Sequence, residues 1–286
     1  MSRSFSIAIS LAVYLLTLFI VYISFGYTSD YPILVRIGIA DLIGTVIIFV
    51  FSILFNNSSM YDPYWSVKPL VIAAYYFFLD PVSQVSLVEG ATLMLVFLYA
   101  LRLTANFYRG WSGLSHEDWR YRNFRTQFPK AYWIVSFFGI HFFPTLMVYL
   151  GCLPMLVIFE QPLQFPLLAI AGLLVLLGSI VLAFVADEQL RTFRNDPANS
   201  GKTINVGLWS RSRHPNYLGE ILTWWGLFTV ALAYGWDFWW TGLGALVITL
   251  MFVFISIPLI EKYSLGRRSD YQDYIRRVPF LIPVKF

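Results

Sequence analysis

Residues 166–194 read PLLAIAGLLVLLGSIVLAFVADEQLRTFR. The stretch from Pro166 to Ala186 carries no charge and is long enough to cross a bilayer as a helix. Charge begins where the apolar run stops, with Asp187, Glu188, Arg191 and Arg194. The same alternation of long apolar runs and short charged segments recurs along the chain. Of its 286 residues, 58% are hydrophobic and 13% charged, and mean hydropathy is +0.66. A soluble domain is about one-quarter charged, so the surplus apolar surface needs lipid around it. Inside lipid the backbone must satisfy its own hydrogen bonds, which long apolar runs do as helices. The expected fold class is all-α, a polytopic transmembrane helical bundle.

Apolar runs of spanning or near-spanning length lie at about 7–25, 33–55, 67–80, 87–106, 132–158, 166–186, 217–234 and 239–259, which predicts about eight spans. The third is short and bounded by Pro69 and Pro81. The first follows a lone Arg3 and lacks a small-residue cleavage site, so it reads as a retained helix rather than a signal peptide. Sixteen of the 20 Lys and Arg fall in three segments, 107–130, 187–216 and 262–285, while 26–32, 159–165 and 235–238 have none. The positive-inside rule puts the three basic segments and both termini in the cytoplasm, in a bacterial inner membrane or an endoplasmic reticulum membrane. For any single Lys or Arg, topology signalling alone is a sufficient reason to be there. A formal charge of +4 on segments bordering spans favours anionic lipid and gives no ground for a nucleic-acid partner. Cys152 is the single cysteine, which excludes an internal disulfide, and with three histidines it is poor material for a Cys/His metal site.

The charged end of 166–194 holds the first candidate site. If the helix continues through Arg194, Asp187, Arg191 and Arg194 stand at i, i+4 and i+7 on one face. From this segment alone, an interfacial ion pair with snorkelling arginines is the simpler account. Residues 195–206, rich in turn formers, predict a polar loop that carries Lys202 and leads to Gly207, Leu208 and Trp209. Then comes SRHPNYLGE, residues 212–220. Pro215 suits the first turn of a helix, which holds Arg213, His214, Asn216 and Tyr217 near an N-terminus that favours anions. Glu220 lies one turn beyond Asn216, and a carboxylate so close to the bilayer is costly unless it has a role. The tail, DYQDYIRRVP at 270–279, adds Tyr274, Arg276 and Arg277. Three basic and aromatic segments on one side suit a ligand with several negative charges and a flat ring, such as a phosphorylated nucleotide. No P-loop and no H-E-x-x-H is present, and GLGALV at 242–247 lacks the third glycine of a dinucleotide fingerprint.

Several stretches resemble the steroid 5-alpha-reductase superfamily, in its bacterial-type branch long catalogued as a domain of unknown function: DPYWSVKP at 62–69, LRLTAN at 101–106, EDWRY at 117–121, ADEQL at 186–190, 207–220, and YIRRVP at 274–279. The resemblance runs from about residue 60 to the end. It implies a seven-span core preceded by one additional helix, with 1–58 as N-terminal transmembrane helices, 59–286 as the reductase-like membrane domain, and the cofactor-binding half at about 166–286. It further implies NADPH as cofactor, held by Asp187, Arg191, Arg194, Lys202, Trp209, Arg213, His214, Asn216, Tyr217, Tyr274 and Arg276, with Glu220 near the nicotinamide end. Tyr99, three residues before Arg102, matches the tyrosine that hydrogen-bonds the substrate ketone in the steroid enzymes. Two positions depart from them: Lys68 stands where a carboxylate usually helps that tyrosine, and Glu261-Lys262 where Arg and His are usual.

The implied chemistry is reduction of an activated carbon–carbon double bond in a lipophilic, steroid- or isoprenoid-like substrate that enters from the bilayer. Hydride goes to the beta carbon, and the Tyr99 hydroxyl meets the carbonyl oxygen as negative charge develops on it. The Arg-His-Pro-x-Tyr plan also resembles isoprenylcysteine carboxyl methyltransferases and related phospholipid methyltransferases, so an S-adenosylmethionine-dependent membrane methyltransferase is the second expectation. A membrane scaffold without catalysis is the third.

Overall fold

The computed structural model describes residues 1–79 and 86–283. Among these every regular element is helical, as the apolar runs predict: α1 (Arg3–Gly26), α2 (Ile33–Leu54), α3 (Tyr64–Leu79), α4 (Leu87–Gly110), α5 (Trp119–Gln127), α6 (Tyr132–Val135), α7 (Phe143–Gly151), α8 (Leu153–Glu160), α9 (Pro166–Asn195), α10 (Pro215–Leu232), α11 (Leu243–Met251), α12 (Ile257–Leu265) and α13 (Tyr271–Arg277). Six helices are long and apolar enough to cross a membrane: Arg3–Gly26, Ile33–Leu54, Leu87–Gly110, Tyr132–Glu160, Pro166–Asn195 and Trp236–Leu265. The chain is a multi-pass membrane protein. The fourth and sixth of these each contain a π-helical turn, Ser136–Phe142 and Phe252–Ser256.

Two of the eight expected spans are helical without meeting the length and hydropathy of a self-sufficient span. α3 has 16 residues with Pro69 inside, and Pro81 beyond it lies outside the described residues, as does Lys285 in the tail. α10 has 18 residues and carries Asn216 and Glu220. It is polar because it is covered by protein rather than lipid. Its residues Gly219, Ile221, Trp224, Leu227 and Val230 are all buried.

The chain divides into two compact units. The first comprises 1–79 and 99–152. There α1 is fastened to the end of α4 by Arg3, whose guanidinium donates to the carbonyls of Trp111 (3.0 Å), Tyr108 (2.7 Å) and Arg109 (3.1 Å), orphan acceptors of a helix C-terminus. Ser10 meets the Tyr108 hydroxyl at 2.8 Å and Tyr14 donates to the Met60 carbonyl at 2.9 Å. α1 is thus a packed element of the fold. Lys68, on α3, is paired with Asp41 of α2 and donates to the Thr145 carbonyl at 2.8 Å. Asp41 also accepts from the Tyr64 hydroxyl.

The second unit comprises 86–98 and 153–283. Its centre is the antiparallel pair α9 and α10. The Ala233 carbonyl just after α10 accepts from Gln164 and Phe165 just before α9, at 3.0 and 2.8 Å, which aligns the two helices end to end. At about 1.5 Å per residue α10 rises about 27 Å, close to the thickness of bilayer hydrocarbon. The pair approaches closely because glycines line the seam. A Cβ on Gly219 would come 2.7 Å from Ala183 Cβ and 2.8 Å from the Ser179 carbonyl, and one on Gly226 would come 2.9 Å from the Leu176 nitrogen. Small residues that let backbones approach are the usual means of holding helices together in lipid, where no hydrophobic force separates helix from solvent.

Candidate functional site

The polar ends of α9, α10 and α12, the 196–214 loop and the tail meet at one end of the second unit. α9 continues through Arg194 as expected, because no breaker occurs before Pro197. Asp196 then caps a short turn by accepting from the Ala198 nitrogen at 2.9 Å. The loop is docked by two contacts. Trp209 is buried and donates its indole N–H to the Ala186 carbonyl at 3.0 Å. The Asp270 carboxylate accepts from the Thr203 nitrogen and hydroxyl at 2.8 and 2.6 Å. Burial raises the Asp270 pKa, but these hydrogen bonds outweigh it and hold the carboxyl below its ordinary value.

This docking encloses a hollow of about 140 Å³ whose lining includes Arg194, Lys202 and Arg268, with Asn199, Ser200 and Gly201 on the loop side. Among the described residues none of the three cationic side chains makes a hydrogen bond or an ion pair. Three unpaired cations around one concavity repel one another and are stabilised by an anion, and two guanidinium forks and an ammonium suit phosphate in particular. Seven residues back along α9, about 10 Å away, Asp187 accepts from the Asn216 amide at 3.3 Å. Glu220, one turn further along α10, is buried.

Arg213 and His214 have a different employment. Arg213 donates to the Glu261 carboxylate at 2.7 Å and to the carbonyls of Ile275 and Val278 at 3.1 and 3.0 Å. His214 lies 2.9 Å from the same Glu261 oxygen. Burial keeps its imidazole below the usual value although Glu261 pulls the other way. Tyr217 stacks on His214, with centroids 5.6 Å apart and planes at 13°. Tyr274, buried, donates to the Trp209 carbonyl at 2.6 Å, and Ser212 donates to the Leu281 carbonyl at 2.6 Å. Arg213, His214 and Tyr274 thus clamp the tail across the mouth of α10. Pro215 occupies the first turn there as expected.

Arg191 and Arg276 do not line the hollow, and Tyr99 belongs to the first unit. Arg191 is exposed and paired with Glu188 one turn back on α9. Arg276 faces solvent from α13 beside Asp273, at 3.7 Å. Tyr99, in the first unit, is buried on α4, with the Arg102 guanidinium 5.8 Å from its ring centroid. Two contributors went unforeseen. Arg268 looks in sequence like one more topological charge of the tail. Glu261 looks like a lone acid at a helix end, and only the fold sets it against Arg213 and His214.

Residues 48–278 match the model of a family described as Protein of unknown function (DUF1295). The chain belongs to this family. The match covers α3 through α13 and leaves out α1 and most of α2. A fission yeast relative, Uncharacterized protein C594.04c of Schizosaccharomyces pombe, is 27% identical over 223 residues, 69% of this chain. The aligned region spans 64% of that relative's length. No solved structure matches the chain.

Proposed function

We propose that this DUF1295 protein is a membrane-embedded, NADPH-dependent reductase of an activated carbon–carbon double bond in a lipophilic substrate. The observation that carries the reading is the hollow at the end of α9, where Arg194, Lys202 and Arg268 converge without a hydrogen bond or ion pair among the described residues. A phosphate-bearing cofactor fits that donor set, whereas S-adenosylmethionine, a sulfonium whose one anionic group is a single carboxylate, leaves most of that charge unanswered; this favours the reductase over the methyltransferase. When bound, NADPH supplies the hydride.

In this reading Arg194, Lys202 and Arg268 hold the phosphate that separates NADPH from NADH. Asn216, steadied by Asp187, and the buried Glu220 serve the nicotinamide end by resemblance to the steroid reductases. Tyr99 supplies the hydroxyl that donates to the substrate carbonyl, stabilising the oxygen as it gains charge. Trp209 and the clamp of Arg213, His214, Glu261 and Tyr274 keep the loop and tail in place. The basic segments face the cytoplasm, where the nucleotide is.

The test is nucleotide affinity in single variants of the solubilised protein. Arg194→Ala, Lys202→Ala and Arg268→Ala are each expected to weaken NADPH about tenfold or more, the size of one charge-assisted hydrogen bond, and NADH much less. Equal losses for both nucleotides would remove the phosphate assignment.

A further inference from the structure

A file of hydroxyls runs through the first unit from its surface to a histidine within a membrane-crossing helix. Glu117 precedes α5, is ion-paired with Arg125 at 3.0 Å, and accepts from the Tyr132 hydroxyl at 3.0 Å. The Tyr132 oxygen lies 2.7 Å from Ser58 Oγ, which lies 2.9 Å from Ser136 Oγ. Ser136 in turn meets the His141 ring, with Nδ1 at 2.9 Å from its carbonyl oxygen and 3.5 Å from its hydroxyl. On the far side of the ring, Nε2 is 3.0 Å from Ser52 Oγ. Ser58, Ser136 and His141 are completely buried. Helical rise sets His141 roughly 13 Å further along the span than Tyr132.

Two features separate this file from a polar fastening between helices. Every member between Glu117 and His141 is a hydroxyl, able to donate and accept at once. Because Tyr132 donates to Glu117, it accepts from Ser58, which accepts from Ser136, so the hydroxyls all point toward the carboxylate. The inner end is also satisfied in either charge state. Neutral His141 donates from Nδ1 to the Ser136 carbonyl and accepts at Nε2 from Ser52. Charged, it donates from Nε2 to Ser52, whose hydroxyl turns to the Ile48 carbonyl 2.9 Å away. One rotating hydroxyl accommodates the proton. A fastening has no need of an ionisable group, which is costly at membrane depth. His141 also lies in the π-helical turn Ser136–Phe142, a distortion frequent at functional sites.

We propose that Glu117, Tyr132, Ser58, Ser136 and His141 form a proton path between the surface of the first unit and the membrane interior. Outward, the His141 imidazolium gives its Nδ1 proton to Ser136 Oγ, Ser136 gives its own to Ser58, Ser58 to Tyr132, and Tyr132 to Glu117. Each hydroxyl loses one proton and gains one, His141 ends neutral as the Nε2–H tautomer, which donates to Ser52 and faces the Ser136 hydroxyl with its Nδ1 lone pair, and Glu117 ends protonated. Inward transfer is the reverse. The 3.5 Å step at Ser136 is the longest and must shorten for transfer. The path does not depend on the identity of the cofactor.

The test reads ring-proton exchange rather than activity. Full-length protein carrying isotope-labelled histidine is moved from water to heavy water, and the His141 ring N–H, assigned by its loss in His141→Asn, is followed by NMR. The path predicts that the ring proton exchanges while backbone amides of the same span remain protonated. Ser58→Ala is expected to slow it at least about tenfold, and Ser58→Thr to restore it. Tyr132→Phe is an independent break and carries the test alone if Ser58→Ala does not fold. A ring proton as protected as those amides, or a wild-type rate in a folded break variant, overturns the proposal.

Discussion

Asp62 shows what a single residue contributes where the ends of α2 and α3 meet the loop before α5. Its carboxylate accepts from the Tyr121 hydroxyl beside Arg120, yet enclosure dominates and pushes its pKa up to about 7 from an ordinary 3.8. A carboxyl raised in the folded state contributes stability that is complete below about pH 4 and is lost as pH rises through about 7. Thermal midpoints of the wild type should therefore fall across that window, and Asp62→Asn should flatten that part of the profile. A variant profile parallel to the wild type would place the titration elsewhere. Arg213 and His214 teach the converse about reading residues. Their place before Pro215 was legible as a helix start, but their partners were not, because Glu261 stands 48 and 47 residues away in sequence.

At the scale of elements, the apolar runs were sufficient to locate the long helices, because length and charge exclusion are local properties. α10 was legible as a helix, but its shielding by α9 was not, since close packing depends on which glycines face each other. Gly219→Ala tests that seam: its Cβ would meet backbone at 2.8 Å, and a loss of about 1–3 kcal/mol is expected from overpacking. Gly178→Ala, on the same pair but opening onto free space, should leave the midpoint nearly unchanged. Equal effects from both would mean that the seam does not carry the pairing. The π-helical turns at Ser136–Phe142 and Phe252–Ser256 left no trace in the apolar pattern, because an extra residue within a turn changes register without changing composition.

At the scale of the molecule, sequence placed Arg194 and Lys202 near one another, through the helix end and the turn-forming loop that follows it. Arg268 arrives from beyond α12, and Thr203 and Asp270 dock the loop against that segment. The resulting hollow is the centre of the functional account, so the most direct measurement is equilibrium titration of the detergent-solubilised full-length protein with NADPH, NADH and S-adenosylmethionine. The account predicts NADPH binding at least about tenfold tighter than NADH, and no saturable binding of S-adenosylmethionine. Saturable S-adenosylmethionine binding, or equal affinity for the two nicotinamide nucleotides, would contradict it.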